Sequence, residues 1–202
     1  MKHRITVCLT IALALLGANA AAKDKPKPAG AEAVDSKAMM EAFQRMGEVR
    51  AEHRQLGYFV GDWTTTTQMW MDPAAPPQTS TGKSHHESLY GGRYVQMHFE
   101  GQMMGQPLSG QGVIGYDNLR GGYFNTWIDS ASTGFWLAHG TWNADTKTYS
   151  FLGAMDDPMK PGSKIRVHEL IKIVDETHYT FEWYEVRGLK EVKTMQIDYT
   201  KL

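Results

Sequence analysis

Cysteine is almost absent from this chain of 202 residues, and the single cysteine, Cys8, lies within the first twenty positions. Those positions combine a basic start, an apolar run, and the small residues Ala18 and Ala20 around a cleavage point, which is the layout of a secretory signal peptide. The apolar run is short for a membrane span, which takes about 20 residues. We therefore predict a signal peptide over residues 1–20, cleaved after Ala20, and a periplasmic or secreted mature protein without disulfides.

The chain also lacks a surplus of either charge. Its 21 Lys and Arg residues face 22 Asp and Glu residues, and loss of Lys2 and Arg4 with the signal peptide would leave 19 against 22, a net charge of −3. Nucleic-acid-binding domains carry a clear basic surplus, so we predict no nucleic-acid partner. We also expect no integral membrane span after cleavage, because no later apolar run is long enough.

Residues 21–34 lack aromatic side chains and are rich in Ala, Lys and Pro, so we predict a disordered linker there. Residues 35–56 show a different pattern, in which apolar side chains recur every three or four positions. Asp35 or Ser36 can cap a helix at this point, and Gly57 can end it. We predict one amphipathic helix that packs its methionine-rich stripe against the domain, although such a stripe can also form an adaptable binding surface. The stripe comprises Met39, Phe43, Met46, Val49, His53 and Leu56.

From Tyr58 onward no second helical period occurs, and alternating runs are separated by turns rich in Gly, Pro, Asn and Asp. Short connections favour antiparallel pairing, since parallel strands need long crossovers. Uninterrupted hairpins favour a barrel, because closure removes exposed strand edges. We predict an all-β domain over residues 35–202: an antiparallel up-and-down β-barrel of about ten strands with one N-terminal amphipathic helix. The predicted strands lie near residues 58–71, 79–89, 93–101, 109–117, 121–129, 133–141, 147–154, 164–174, 177–186 and 190–200.

Four spaced motifs resemble a known family. They are LGYFVGDW at residues 56–63, GGRY at 91–94, GVIGYDN at 112–118 and TWIDS at 126–130. Through them the chain resembles, over most of its length, a secreted bacterial family catalogued as domain of unknown function 1579. The Gly-Asp-Trp of the first motif also resembles the Gly-x-Trp that begins calycin barrels, the group of lipocalins and fatty-acid-binding proteins. The resemblance implies a lipocalin-like barrel and no assigned activity.

Three residues of these motifs have structural interpretations. Trp63, as the first inward residue, would plug the closed end of the barrel. Gly61 would let the preceding helix approach closely. Arg93 would stack on the Trp63 indole in a cation–π contact worth about 1 kcal/mol.

Two strands carry polar side chains that would suit a ligand pocket. His98 and Glu100 share one face of their strand, and Asn125, Trp127 and Asp129 share one face of another. The second set offers a large apolar body flanked by hydrogen-bonding groups, as ligand sites do. We predict all five as ligand contacts on the condition that these faces point into the lumen, and alternation alone leaves both orientations open. In the other orientation Asp129 would only hold the turn that follows it.

The function that this pattern favours is extracytoplasmic binding of a small, partly apolar ligand in the lumen. One alternative is an enzyme that uses His98 and Glu100 as an acid–base pair with Asp129 nearby. Another is an interaction module with a filled barrel that acts through its rim or its helix. We assign no catalytic residue and no metal site, because the sequence holds neither a GxSxG elbow nor an HExxH motif. The sequence identifies no cofactor and no oligomeric state.

Overall fold

The computed structural model describes residues 35–202, except for the side chain of Arg187. The predicted signal peptide and linker, residues 1–34, lie outside the described residues. No helix among residues 35–202 has the length and apolar character needed to cross a membrane.

Ten strands follow one another along the chain, and each pairs antiparallel with its sequence neighbours. The first strand also pairs with the last, from Trp63 opposite Lys201 to Met69 opposite Met195, so the sheet closes on itself. The predicted all-β, antiparallel up-and-down barrel with an N-terminal helical segment is therefore confirmed. The strands are β1 Gly61–Met69, β2 Gln78–Leu89, β3 Tyr94–Met103, β4 Gln106–Asp117, β5 Gly122–Asp129, β6 Trp136–Asn143, β7 Thr148–Asp156, β8 Lys164–Ile173, β9 His178–Arg187 and β10 Lys190–Lys201.

The helical segment before the barrel consists of three pieces: α1 Ser36–Met46, α2 Ala51–Gln55, and a 3₁₀ turn, Leu56–Phe59. The predicted helix is interrupted after Gly47, and Arg50 has extended backbone angles. The prediction that the methionine-rich stripe packs on the domain is wrong for α1, which buries none of its residues. Periodicity shows that a helix has an apolar face, but it does not show what covers that face.

The second half of the segment packs into one end of the barrel. Leu56 and Phe59 are fully or almost fully buried there, and His53 is 5% exposed. Trp63 is also fully buried, and its indole N–H donates a hydrogen bond to the Phe59 carbonyl at 2.8 Å. Its ring meets that of Tyr179 edge to face, with 4.8 Å between centroids. We call this end, where the helical segment covers the strands, the closed end.

The predicted stacking of Arg93 on Trp63 is wrong. The Arg93 guanidinium instead donates to the Gly47 carbonyl at 2.6 Å and to the Tyr90 carbonyl at 2.8 Å. The cation over the Trp63 ring is Lys201, whose Nζ lies 5.2 Å from the ring centroid. Arg93 therefore ties the link between α1 and α2 to the turn between β2 and β3.

Gly61 adopts a φ of +132°, which side chains other than glycine's rarely allow. A Cβ at this position would lie 3.1 Å from Cε of Lys201 on β10. The glycine thus accommodates the last strand, and the predicted close approach of the helix is not the contact that this position makes.

Candidate ligand cavity

The lumen of the barrel is not filled by side chains. It holds a cavity of about 990 Å³, bounded at the closed end by Phe59, Tyr179 and Tyr199. At the opposite end, which we call the mouth, the cavity reaches Trp70 and Met71 after β1 and Met104 between β3 and β4. Ligand pockets in proteins occupy about 300–1,000 Å³. This cavity therefore has the volume of a site for a small molecule.

Three of the predicted ligand contacts line this cavity. Asn125, Trp127 and Asp129 all face inward from β5. The indole N–H of Trp127 donates to Oδ2 of Asp129 at 2.9 Å. The other oxygen, Oδ1, accepts hydrogen bonds from the backbone N–H groups of Ala131 and Ser132. Asp129 thus lines the cavity and also holds the turn after β5. The sequence had offered these as two alternative roles, and the structure combines them.

Two glycines of β4 make room for the Trp127 indole. Gly112 lies opposite Trp127 in the ladder, and Gly110 lies opposite Asp129. A Cβ on Gly110 would be 2.3 Å from the indole Cζ2, and a Cβ on Gly112 would be 3.1 Å from its Cε3. The first distance is too short for non-bonded heavy atoms and the second would force the indole to shift, so the indole covers β4 in this position because both residues are glycines.

His98 and Glu100 lie outside the cavity. Both are exposed on the outer face of β3, whereas the inward face carries Val95, Met97 and Phe99. Nε2 of His98 is 3.7 Å from a Glu87 carboxylate oxygen on the neighbouring strand. Their prediction as ligand contacts required this face of β3 to point into the lumen, and it points outward. The acid–base pair considered from the sequence therefore cannot share the lumen with Asp129.

Glu169, the most deeply buried carboxyl of the cavity wall, is not among the residues predicted from the sequence. Glu169 is 1% exposed, lies half-way along β8, and accepts a hydrogen bond from Nδ2 of Asn125 at 3.2 Å. Burial raises the pKa of Glu169 to about 7, while the Asn125 amide and the nearby Trp136 indole act in the opposite direction. The signal was present in the alternation, because Ile165, Val167 and Ile171 mark the inward face that Glu169 shares.

Two polar atoms beside Glu169 lack a hydrogen bond of ordinary geometry. Oδ1 of Asn125 and Nε1 of Trp136 are both buried without a partner of ordinary geometry. The Trp136 N–H is nevertheless close enough to the Glu169 carboxyl to lower its pKa. Gly153 on β7 gives the indole this position, since a Cβ there would be 2.6 Å from Cη2 of Trp136. Unpaired buried polar groups are costly, so this part of the wall is suited to a polar group of a ligand.

Two serine–histidine pairs occur elsewhere in the barrel. Ser84 Oγ lies 2.7 Å from Nε2 of His86, and Ser150 Oγ lies 2.8 Å from Nε2 of His168, whose Nδ1 is 2.7 Å from Glu191. The second arrangement has the order of a hydrolase triad. It lies on the outer face, and both sides of β7 at Ser150 pair with neighbouring strands, which leaves no backbone donors for an oxyanion. Neither pair lines the cavity, and we assign neither a reaction.

Metal ligation has no support in the part of the chain that the structure describes. No group of three or more His, Cys, Asp or Glu side chains in residues 35–202 could hold a metal ion.

Comparisons with known proteins identified a matching family and two solved structures of similar fold. A family model described as "Protein of unknown function (DUF1579)" matches residues 48–201. A comparison with curated proteins gave no significant match. The crystal structure of Rv2717c from M. tuberculosis is similar, with a TM-score of 0.54 and 11% identity, over 77% of this chain and 99% of that one. The S-type phycobiliprotein lyase CPES from Guillardia theta is similar with a TM-score of 0.53 and 12% identity, over 74% and 91% of the two chains. At these identities the likeness shows the lipocalin-like barrel fold alone.

Proposed function

The chain belongs to the DUF1579 family of proteins of unknown function, and from that premise we propose that it binds a small, mainly apolar ligand inside its barrel. The observation that carries the proposal is the unfilled lumen of about 990 Å³. A barrel that served only as a scaffold would gain stability from a packed interior, because empty space forfeits dispersion contacts. The similarity to a barrel named as a phycobiliprotein lyase is compatible with ligand binding.

The composition of the wall supports an apolar ligand with few polar groups. Aromatic side chains cover much of the wall, including Phe99, Trp127, Trp136, Phe181 and Trp183. Large apolar walls with a few placed polar groups are typical of small-molecule sites. Two of the polar groups, Asn125 and Glu169, are joined by a hydrogen bond and are more than nine-tenths buried.

Methionines supply a second class of apolar wall. Their flexible, polarizable side chains adapt to ligands of different shapes, so they suit a site that closes around its occupant. The methionines that line the cavity are Met69, Met71, Met97, Met103, Met104, Met155 and Met195.

We further propose that binding takes place outside the cytoplasm. This part rests on residues 1–20 alone, whose basic start, apolar run and small residues predict export. Fractionation of cells that express the full chain, with sequencing of the mature N-terminus, tests it. We expect an extracytoplasmic protein that begins at Ala21, and an uncleaved cytoplasmic chain would contradict the proposal.

The binding proposal is tested by placing a large side chain in the cavity, with the same substitution on the opposite face of the strand as a control. Thr67 on β1 lines the cavity, and its neighbour Thr66 does not. We expect Thr67→Trp to weaken binding of the neutral fluorescent probe N-phenyl-1-naphthylamine by about tenfold or more, because the indole occupies the lumen. Thr66→Trp is the matched control, and it should bind the probe as the unmodified protein does.

Two outcomes would contradict the proposal. One is an unmodified protein that does not bind the probe. The other is a folded Thr67→Trp variant that binds it as tightly as the Thr66→Trp control. Thermal unfolding of both variants shows that each is folded before the probe is added.

A further inference from the structure

Around Glu169 the cavity wall presents two buried acceptors, the Glu169 carboxyl and Oδ1 of Asn125, and one buried donor, the Trp136 indole N–H. The Glu169 carboxyl receives a hydrogen bond from Asn125 at its Oε2, and the Trp136 indole N–H lies close to the same carboxyl. Oδ1 of Asn125 is buried and accepts none. Both residues are more than nine-tenths buried and both line the cavity. A ligand group that satisfies both acceptors must donate at least two hydrogen bonds.

The charges around this point are negative. Asp129 lines the cavity along with Glu169, and no described lining side chain is a Lys, Arg or His. The other titratable groups of the wall are the phenols of Tyr179 and Tyr199, at the closed end. An anionic ligand would therefore place its charge next to carboxyl groups in a medium of low dielectric, where repulsion is strong.

The lysines of this part of the sheet lie on the opposite face. Nζ of Lys172 is 2.8 Å from Oε2 of Glu182, and Nζ of Lys193 is 3.4 Å from Oε1 of the same residue. Neither lysine lines the cavity. Both ammonium groups are paired with Glu182 on the outer face, away from the carboxyl groups within.

Aromatic rings surround the same position. Trp183 lies opposite Glu169 in the ladder between β8 and β9. Its ring centroid is 4.6 Å from that of Trp136, and 6.4 Å from that of Phe181. The faces of such rings attract cations, and aromatic walls are used by proteins that bind substituted ammonium groups.

Extending the proposed function, on which this step rests, we propose that the cavity selects apolar ligands that carry a protonated amine. The ammonium group donates hydrogen bonds to the Glu169 carboxylate and to Oδ1 of Asn125, and the apolar body extends toward the mouth. The site disfavours fatty acids and other amphiphiles with an anionic head.

The ionisation of Glu169 agrees with this assignment. Burial raises its pKa to about 7 in the empty cavity, so near neutral pH part of the protein carries a protonated Glu169. An ammonium group favours the ionised carboxylate, and its binding displaces that proton. Amine binding is therefore accompanied by proton release, and the affinity for an amine rises with pH through about 7.

The test compares three ligands that differ only in the head group: decylamine, decanol and decanoate, each displacing N-phenyl-1-naphthylamine from the purified protein. We expect decylamine to bind about tenfold or more tightly than decanol, and decanoate to bind most weakly, since charge-assisted hydrogen bonds exceed neutral ones. Glu169→Gln should remove the advantage of decylamine over decanol, because the amide carries no charge for the ammonium group to pair with. Glu100→Gln is the matched control, because it removes a carboxyl group from the outer face, and it should retain the preference.

The outcomes separate this inference from the proposed function. Binding of the probe and of decanol without a preference for decylamine would overturn the inference and leave the proposed function intact. A preference that survives Glu169→Gln would also overturn it. Failure of the probe and of all three ligands to bind would contradict the proposed function itself. If Glu169→Gln does not fold, proton release on decylamine binding is measured with the unmodified protein instead. Calorimetry in buffers of different ionisation heat measures it, and the absence of proton release would overturn the inference.

Discussion

The two ends of the barrel are built on the same ten strands, yet one is packed and the other is open. At the closed end the rings of Tyr179 and Tyr199 stack with 4.2 Å between centroids, and Trp63 is fully buried above them. Toward the mouth the inward side chains leave a cavity of about 990 Å³. A barrel of about eight strands has an interior that side chains can just fill, and the diameter grows with the number of strands, so ten strands leave room to spare. The helical segment fills that interior at one end only, which separates a packed, stabilising region from the region that we propose binds a ligand.

The largest expected effect contrasts a tryptophan from each end. Trp63→Ala leaves a void in the closed end and should lower the free energy of unfolding by about 3–5 kcal/mol. Trp127→Ala, in the wall of the cavity, should lower it by only about 1–2 kcal/mol, because its ring already borders open space. Urea unfolding measures both changes. Equal losses at the two positions would break the contrast between a packed and an open end.

A second contrast concerns pH. Glu169 has a pKa of about 7 when folded and near 4.5 when unfolded, so the folded state holds a proton that the unfolded state has lost between these values. Its contribution to the free energy of unfolding is therefore lost as pH rises from about 4.5 to about 7. At the closed end, burial lowers the pKa of His86 to about 4, so its contribution is lost as pH falls below about 6.5.

The variant Glu169→Gln separates the opposite effects of Glu169 and His86 on how the free energy of unfolding changes with pH. Between pH 4.5 and pH 8 the variant should gain stability relative to the unmodified protein by on the order of 3 kcal/mol, because glutamine does not ionise. Urea unfolding at several pH values measures the difference, with Glu100→Gln as the control. A difference that stays constant across this range would show that Glu169 does not titrate as a buried carboxyl.

The smallest effect tests the attachment of the helical segment to the closed end. Arg93→Ala removes the hydrogen bonds to the carbonyls of Gly47 and Tyr90 and should lower the free energy of unfolding by about 1 kcal/mol. Binding of N-phenyl-1-naphthylamine should be nearly unchanged, because Arg93 does not line the cavity. A selective loss of probe binding would show that the closed end and the cavity are coupled.

The fold was predictable because its signals are local. Alternation and turn residues indicated all ten strands. The first predicted strand began two residues too early, because residues 58 and 59 belong to the 3₁₀ turn over residues 56–59. The exposure of the apolar face of α1 was not predictable in the same way. Met39 and Phe43 have the spacing of a packed stripe, yet they remain 46% and 58% exposed. Spacing along one helix carries no information about a distant partner.

The site was predictable only in part, because alternation sorts side chains into two faces without saying which one is inside. On β5 the polar set of Asn125, Trp127 and Asp129 faces the cavity, and on β3 the polar pair of His98 and Glu100 faces outward. Their roles as ligand contacts stay predictions for the three that line the cavity. Comparison of whole faces would have helped on β8, where a single acid among aliphatic residues identifies a buried polar position.

The central claim is that the open half of the lumen receives a small apolar molecule. The most direct measurement is a crystal structure of the protein with 10-bromo-1-decanol, in which anomalous scattering locates the bromine without relying on weak ligand density. We expect a bromine peak inside the barrel, within contact distance of the methionines and tryptophans that line the cavity. A peak only on the outer surface, or a lumen closed by rearranged side chains, would contradict it.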